Sequence, residues 1–276
     1  TGFKFFFRDP REEYRGLRNK TEYINHDITG YDECFPTIAP CLYPYDPWKG
    51  LQLGDHGWLW NEKWEFETAN NRITTWIDGE LLPFHLSRTL AFERKNTLVF
   101  SYSLQSRANA AFRYIWSAHP ALTLTPSSQL LLPENGMETL ICFDSQVQEI
   151  NGTKFLWPNL QRGDLTRDLS LNLTAKRQNM IKLFFPSLPR GECSLVHHSI
   201  GERIRYEFDL RDIPYLGLWI NEGYPFQGFE PRKSFCVAFE PCTGLSDALG
   251  EAENLGRVGL LPANGKIHWQ LRLTTE

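Results

Sequence analysis

Apolar and polar positions in this chain change over in short runs, and turn-forming residues cut those runs almost throughout. Alternating or β-branched runs occur at 72–77, 89–92, 97–104, 112–116, 121–124, 154–156, 180–185, 203–210, 216–220, 234–239 and 266–273. The stretches RIRYEFDL at 203–210 and IHWQLRL at 267–273 alternate cleanly enough to predict half-exposed antiparallel strands. The run 235–239 (FCVAF) is apolar without alternation, as expected of a strand buried on both faces. Long amphipathic periods are missing, and the best helical candidate is the short stretch 245–254. The 20 glycines and 17 prolines fall largely between the runs, and no repeat, low-complexity tract or linker interrupts the pattern. The expectation is an all-β chain, a single large antiparallel β-sandwich domain covering residues 1–276.

Composition narrows the function classes. With 276 residues the chain is long enough for a large core, and no apolar run approaches the roughly 18 residues of a membrane helix. A net charge of −4 with the two signs interspersed argues against a nucleic-acid backbone or an anionic membrane as partner. Aromatic residues reach 14 % with nine tryptophans, a supply of flat apolar faces for a β core and for stacking sugar rings. The six cysteines lie far apart with no CxxC pair, which reads as free, mostly buried thiols in a reducing compartment. The opening TGFKFFFRDP has no signal-peptide pattern, so the expected location is cytoplasmic, with secretion left open; the N-x-S/T sequons at Asn19, Asn151 and Asn172 are as many as a chain this long can carry by chance.

Four segments carry candidate chemistry. In FCVAFEPCTGLSDAL, Glu240 ends the buried run 235–239, where desolvation would raise its pKa into a range useful for moving protons. In GYDECFPT, the adjacent Asp32 and Glu33 must point to opposite faces of a strand, so only one of them can enter a given pocket. In GDHG, Asp55 and His56 sit between glycines and are followed by Trp58, Trp60 and Trp64, which suits an imidazole beside a sugar-stacking face. In WSAHP, His119 ends an aromatic-rich strand and is held by Pro120. His197 and His198 read as a solvated turn, and His26, His85 and His268 have no distinguishing company. No metal-ligand spacing, nucleophile elbow, phosphate-binding loop or dinucleotide fingerprint is present, so neither metal nor cofactor is expected. The remaining set is two histidines and a strand-end glutamate, an acid–base set with no nucleophile.

The ordered segments GYDECFPT, DHG followed by Trp, SAHPALTL, LGLWINEG, FEPCTGLSDAL and LPANGKIHWQLRL resemble the aldose 1-epimerase family of the galactose mutarotase-like superfamily, closest to its divergent bacterial branch. The resemblance runs from about Gly30 to Leu273 and implies a supersandwich of antiparallel sheets with an open sugar cleft. It implies Glu240 as the general base on the anomeric hydroxyl, His119 as the acid on the ring oxygen, and His56 as a group that orients the sugar. Asp55, Glu33, Trp219 and Asn221 are the expected substrate contacts. The arginine segment usual before the first histidine has no counterpart, and Arg113 is a candidate for reading an acidic or phosphorylated sugar. The expected partner is a monosaccharide or sugar derivative, handled by a monomer or weak homodimer. A catalytically silent sugar-binding protein on the same scaffold is the competing expectation, and a carbohydrate-cleaving enzyme a third.

Overall fold

A computed structural model describes residues 2–7, 23, 30–147, 152–225 and 233–276. Two antiparallel sheets dominate it. The ten-stranded sheet runs from the edge strand Tyr31–Cys34 through Ser117–Pro120, Lys233–Cys242, Tyr215–Pro225, Asn179–Phe185 and Glu138–Asp144, and ends in the hairpins of Thr153–Leu156, Asn159–Arg162 and Leu165–Asp168; its tenth strand, Leu122–Thr123, pairs with Lys233–Cys242. The eight-stranded sheet follows the order Ser128–Leu131, Glu192–His197, Glu202–Phe208, Lys266–Thr275, Thr97–Ser106, Phe84–Arg94, Arg72–Asp78 and Glu65–Ala69. The predicted helix is one short turn of α-helix, Leu249–Asn254.

The core lies between the sheets because each strand supplies alternate residues to it. Glu202–Phe208 and Lys266–Thr275 alternate as their sequences predict. From the first sheet, Ile181, Leu183, Leu218, Ile220, Val237 and Phe239 are fully buried, and Phe239 reaches Tyr206 of the second sheet at a ring distance of 6.2 Å. Much of the aromatic content is spent here: Tyr102, Trp116 and Trp269 pack as one cluster with ring distances of 4.9 to 5.2 Å. Residues out of phase with this set, among them Lys182, Trp219 and Glu240, face the other side of the sheet.

The same alternation decides between the paired carboxylates. Tyr31 points between the sheets, where its hydroxyl lies 3.2 Å from that of Tyr102, and Glu33 points the same way to bond Arg88 at 2.8 Å. Asp32 and Cys34 turn toward the far side, beside His56 and Glu240.

One expectation needs correction here. His197 is not in a solvated turn; it is buried on the strand Glu192–His197, with Nδ1 3.0 Å from the Ser128 hydroxyl. Its position in a strand register, invisible as a polar pair in sequence, is what buries it. His26, Asn19 and Asn151 lie outside the described residues. All six cysteines are free thiols, and Cys34, Cys193, Cys236 and Cys242 are buried. No helix of the described residues is long and apolar enough to cross a membrane.

Candidate active site

The outward face of the first sheet carries a cavity of about 270 Å³. Its floor is set by strand register. Gly217 stands opposite Glu240, Trp219 opposite both Lys182 and Ala238, and His119 opposite Asp32. Cys242 pairs with Ser117, which brings the strand of His119 alongside that of Glu240. Residues far apart in sequence thereby meet: His119 Nε2 lies 3.8 Å from Glu240 Oε1.

Glu240 is fully buried and its two oxygens have different surroundings. Oε2 accepts a short hydrogen bond from the Lys182 ammonium. Oε1 has no hydrogen-bond partner among the described residues. Lys182 also faces Asp247 Oδ1 at 3.5 Å. Burial raises the Glu240 pKa, and the adjacent Lys182 ammonium pulls it back part of the way. Burial pulls Lys182 downward, but the Asp247 and Glu240 carboxylates outweigh it and hold the ammonium above its ordinary range. His119 is pushed well below the usual imidazole range, first by burial and then by His56 and Lys182, which favours its neutral form.

The His56 loop is fastened to the segment after the first strand. His56 N–H donates to Ile38 O at 2.6 Å and Trp58 N–H to Phe35 O at 2.8 Å. His56 itself has φ 58° and Gly57 φ 68°. A Cβ on Gly57 would lie 1.9 Å from Phe35 O, so glycine is required where the two backbones touch. Left-handed backbone at a histidine is uncommon and recurs at functional loops. Asp55 Oδ1 sits 2.9 Å from His56 Nδ1, which leaves Nε2 as the ring atom free to face a ligand. The rings of His56 and His119 are 5.0 Å apart.

Of the residues expected to contact substrate, Asp55 and Trp219 line the cavity with the three acid–base residues. Glu33 does not: it is buried between the sheets against Arg88, because strand alternation sends Asp32, not Glu33, to the cleft side. Asn221 is buried and closes a turn, accepting Tyr224 N–H at 2.8 Å. Arg113 pairs with Glu253 at 2.5 Å and lies 4.6 Å from the Tyr45 ring, away from the cavity. Trp60 donates its indole N–H to the carbonyls of Asp55 and Gly57 and so braces the loop, while Trp64 donates to Leu59 O at 2.9 Å and carries Arg88 over its ring.

Sequence reasoning missed three polar lining residues. Lys182 interrupts an otherwise buried strand, NMIKLFF, and that interruption was the available signal. Asp247 lies inside the segment quoted for Glu240. Tyr23 stacks on His56 at 3.5 Å, with its hydroxyl 3.4 Å from His119 Nδ1 and 3.3 Å from Asp32 Oδ2. Nothing in its sequence context marks it. Asp32, buried behind this tyrosine, is pushed up to about 6 by desolvation, against the pull of His56.

Solved structures with this arrangement of sheets exist. The Slr1438 protein from Synechocystis sp. PCC 6803 aligns over 100 % of this chain and 85 % of its own, with TM-score 0.70 and 16 % identity. A galactose mutarotase-like protein from Lactobacillus casei aligns over 89 % of this chain and 85 % of its own, with TM-score 0.66 and 16 % identity. This chain has the galactose mutarotase-like fold. A galactose mutarotase related enzyme from Lactobacillus acidophilus shares that fold at TM-score 0.64 and 18 % identity, over 89 % of this chain and 82 % of its own. No family model matches the sequence, and no curated protein matches it. Among the described residues, no group of three or more His, Cys, Asp or Glu is arranged to hold a metal ion.

Proposed function

We propose that this protein is an aldose 1-epimerase, interconverting the α and β anomers of a monosaccharide by acid–base ring opening and closure. The observation that carries this reading is Glu240 Oε1: a buried carboxylate oxygen with no hydrogen-bond partner among the described residues, 3.8 Å from His119 Nε2. The anomeric and ring oxygens of an aldose share one carbon, so two groups this close can reach both at once.

In the productive form His119 carries a proton and Glu240 is ionised. Glu240 takes the proton of the anomeric hydroxyl while His119 passes its own to the ring oxygen. The bond from C1 to the ring oxygen breaks and C1 becomes the aldehyde carbon. Afterwards Glu240 is protonated and His119 neutral, the states that burial favours for each. Rotation about C1–C2 and reclosure by the reverse transfers deliver either anomer. His56, whose Nδ1–H donates to Asp55, presents Nε2 as an acceptor for a sugar hydroxyl. Trp219 offers a ring face beside His119, 6.2 Å between centroids.

A cavity of about 270 Å³ suits one sugar ring and not an oligosaccharide. Lys182, the lysine lining it, is engaged by two carboxylates, and Arg113 lies elsewhere; both favour a neutral sugar. A silent binding protein would use the same cleft, but binding alone does not call for a buried carboxylate and an imidazole 3.8 Å apart.

Polarimetry of freshly dissolved hexoses, pentoses and sugar phosphates tests the reading. Wild-type protein should speed the approach to anomeric equilibrium, and Glu240→Gln and His119→Asn should each remove roughly 10²–10⁴-fold of that rate. A wild-type protein that leaves every spontaneous rate untouched would establish the binding-protein alternative.

A further inference from the structure

Lys182 stands on the cleft face of a strand whose neighbouring residues, Ile181, Leu183, Phe184 and Phe185, are all buried and apolar. A buried lysine there needs a compensating reason, since taking an ammonium out of water costs several kcal/mol. Its contacts supply one. It bonds the Glu240 oxygen that points away from His119 and lies 3.5 Å from Asp247, which in turn accepts the Cys142 thiol at 3.2 Å. The backbone makes room for the pair. A Cβ on Gly217 would sit 3.2 Å from Glu240 Cβ, 3.3 Å from Oε2 and 3.4 Å from the Lys182 ammonium.

Among the described residues, these charged or titratable groups face Glu240. Lys182 comes from the neighbouring strand but one, and Asp247 from the loop that follows Cys242. His119 and Cys34 come from the next two strands, and His56 from its stapled loop. Cys242 lies two residues along the same strand. The thiols are buried and pushed upward by desolvation, so they stay neutral. Lys182 is therefore the firmly charged cation in the set and Asp247 the opposing carboxylate. Held as an ammonium, Lys182 has no lone pair with which to trap an open-chain aldehyde, so it does not act as a nucleophile.

Resting on the mutarotase reading, we propose that Lys182 is a positioning residue: it holds Glu240 Oε2 and keeps the carboxylate charged, leaving Oε1 alone to take the anomeric proton, and Asp247 moderates its charge. The ammonium acts on both members of the acid–base pair in one direction, favouring loss of their protons. Asp247 acts on Glu240 in the opposite sense. Removing each should therefore move the pH–rate profile oppositely.

The test is the pH dependence of kcat/KM for mutarotation in wild type, Lys182→Met, Lys182→Arg and Asp247→Asn. It is accompanied by infrared titration of the buried carboxyl bands, which needs no activity. Lys182→Met should shift both profile and carboxyl titration to higher pH by about one to three units, with activity partly recovered in alkali. Asp247→Asn should shift both to lower pH, and Lys182→Arg should keep the wild-type position. An unshifted profile in Lys182→Met, with activity lost equally at every pH, would make the lysine merely structural and overturn the proposal. Should Lys182→Met fail to fold, the Asp247→Asn shift decides: its absence overturns the proposal. If wild type has no mutarotase activity, the functional reading fails, while the infrared titration still judges what Lys182 does to Glu240.

Discussion

Glu33 offers a sharp test of how strand alternation divides the paired carboxylates. Its carboxylate is 3 % exposed and meets Arg88 at 2.8 Å between the two sheets. Arg88 is partly covered as well, with its guanidinium 4.8 Å from the Trp64 ring centre. Replacing Glu33 by Met leaves the guanidinium without its counter-charge in that slot. Losing one partner of a buried pair costs about 3–5 kcal/mol. Because the Arg88 side chain keeps 19 % of its surface, the lower end applies, about 3 kcal/mol. At 276 residues and about 2.1 cal/mol/K of unfolding entropy per residue, each kcal/mol moves Tm by about 1.7 °C, so Glu33→Met should melt about 5 °C early by calorimetry. The double variant Glu33→Met/Arg88→Met fills the slot with apolar groups and should recover most of the loss, giving a large coupling energy in the cycle. A substrate-binding glutamate predicts another outcome: a raised KM with Tm unchanged. That result, or single variants costing under about 1 kcal/mol, would refute the placement.

Asp32, pushed up to about 6 by burial, binds its proton more tightly folded than unfolded. Its ionisation therefore destabilises the fold progressively as pH rises from about 4 to about 6, and the full penalty is present above that. Asp32→Asn should be more stable than wild type at pH 7–8, by up to about 3 kcal/mol in urea unfolding, and the gain should vanish near pH 4. Gly217→Ala places a methyl against Glu240 and the Lys182 ammonium; it should cut the mutarotation rate at least tenfold, about 1.4 kcal/mol, with near-native circular dichroism.

Much of the sheet content was legible because period-two patterning survives in half-exposed strands, as in Glu202–Phe208 and Lys266–Thr275. Edge and hairpin strands such as Glu65–Ala69 and Leu165–Asp168 escaped, being exposed and polar enough to read as loops. At the cleft, Glu240 and His119 were marked by the apolar or aromatic runs they terminate, and His56 by its glycine frame. Lys182 was passed over because a single charge in a strand reads as a solvated edge; its partners lie 58 and 65 residues away. Glu33 and Asn221 misled for the opposite reason. Glu33 is next to Asp32, which turns to the cleft side, and Asn221 is two residues beyond Trp219; neither local context shows which bond the side chain makes.

One strand joins core and cleft at adjacent residues: Phe239 reaches Tyr206 between the sheets, and Glu240 turns outward to Lys182 and His119. A slip of one residue in Lys233–Cys242 would exchange them, setting a carboxylate in the apolar interior and a phenyl ring in the cleft. The strand therefore tolerates substitution far better than insertion or deletion, since a one-residue change in length would cost packing and proton transfer together. Engineering of this protein can vary side chains along the strand freely only while its residue count between Tyr206-facing and cleft-facing positions stays intact.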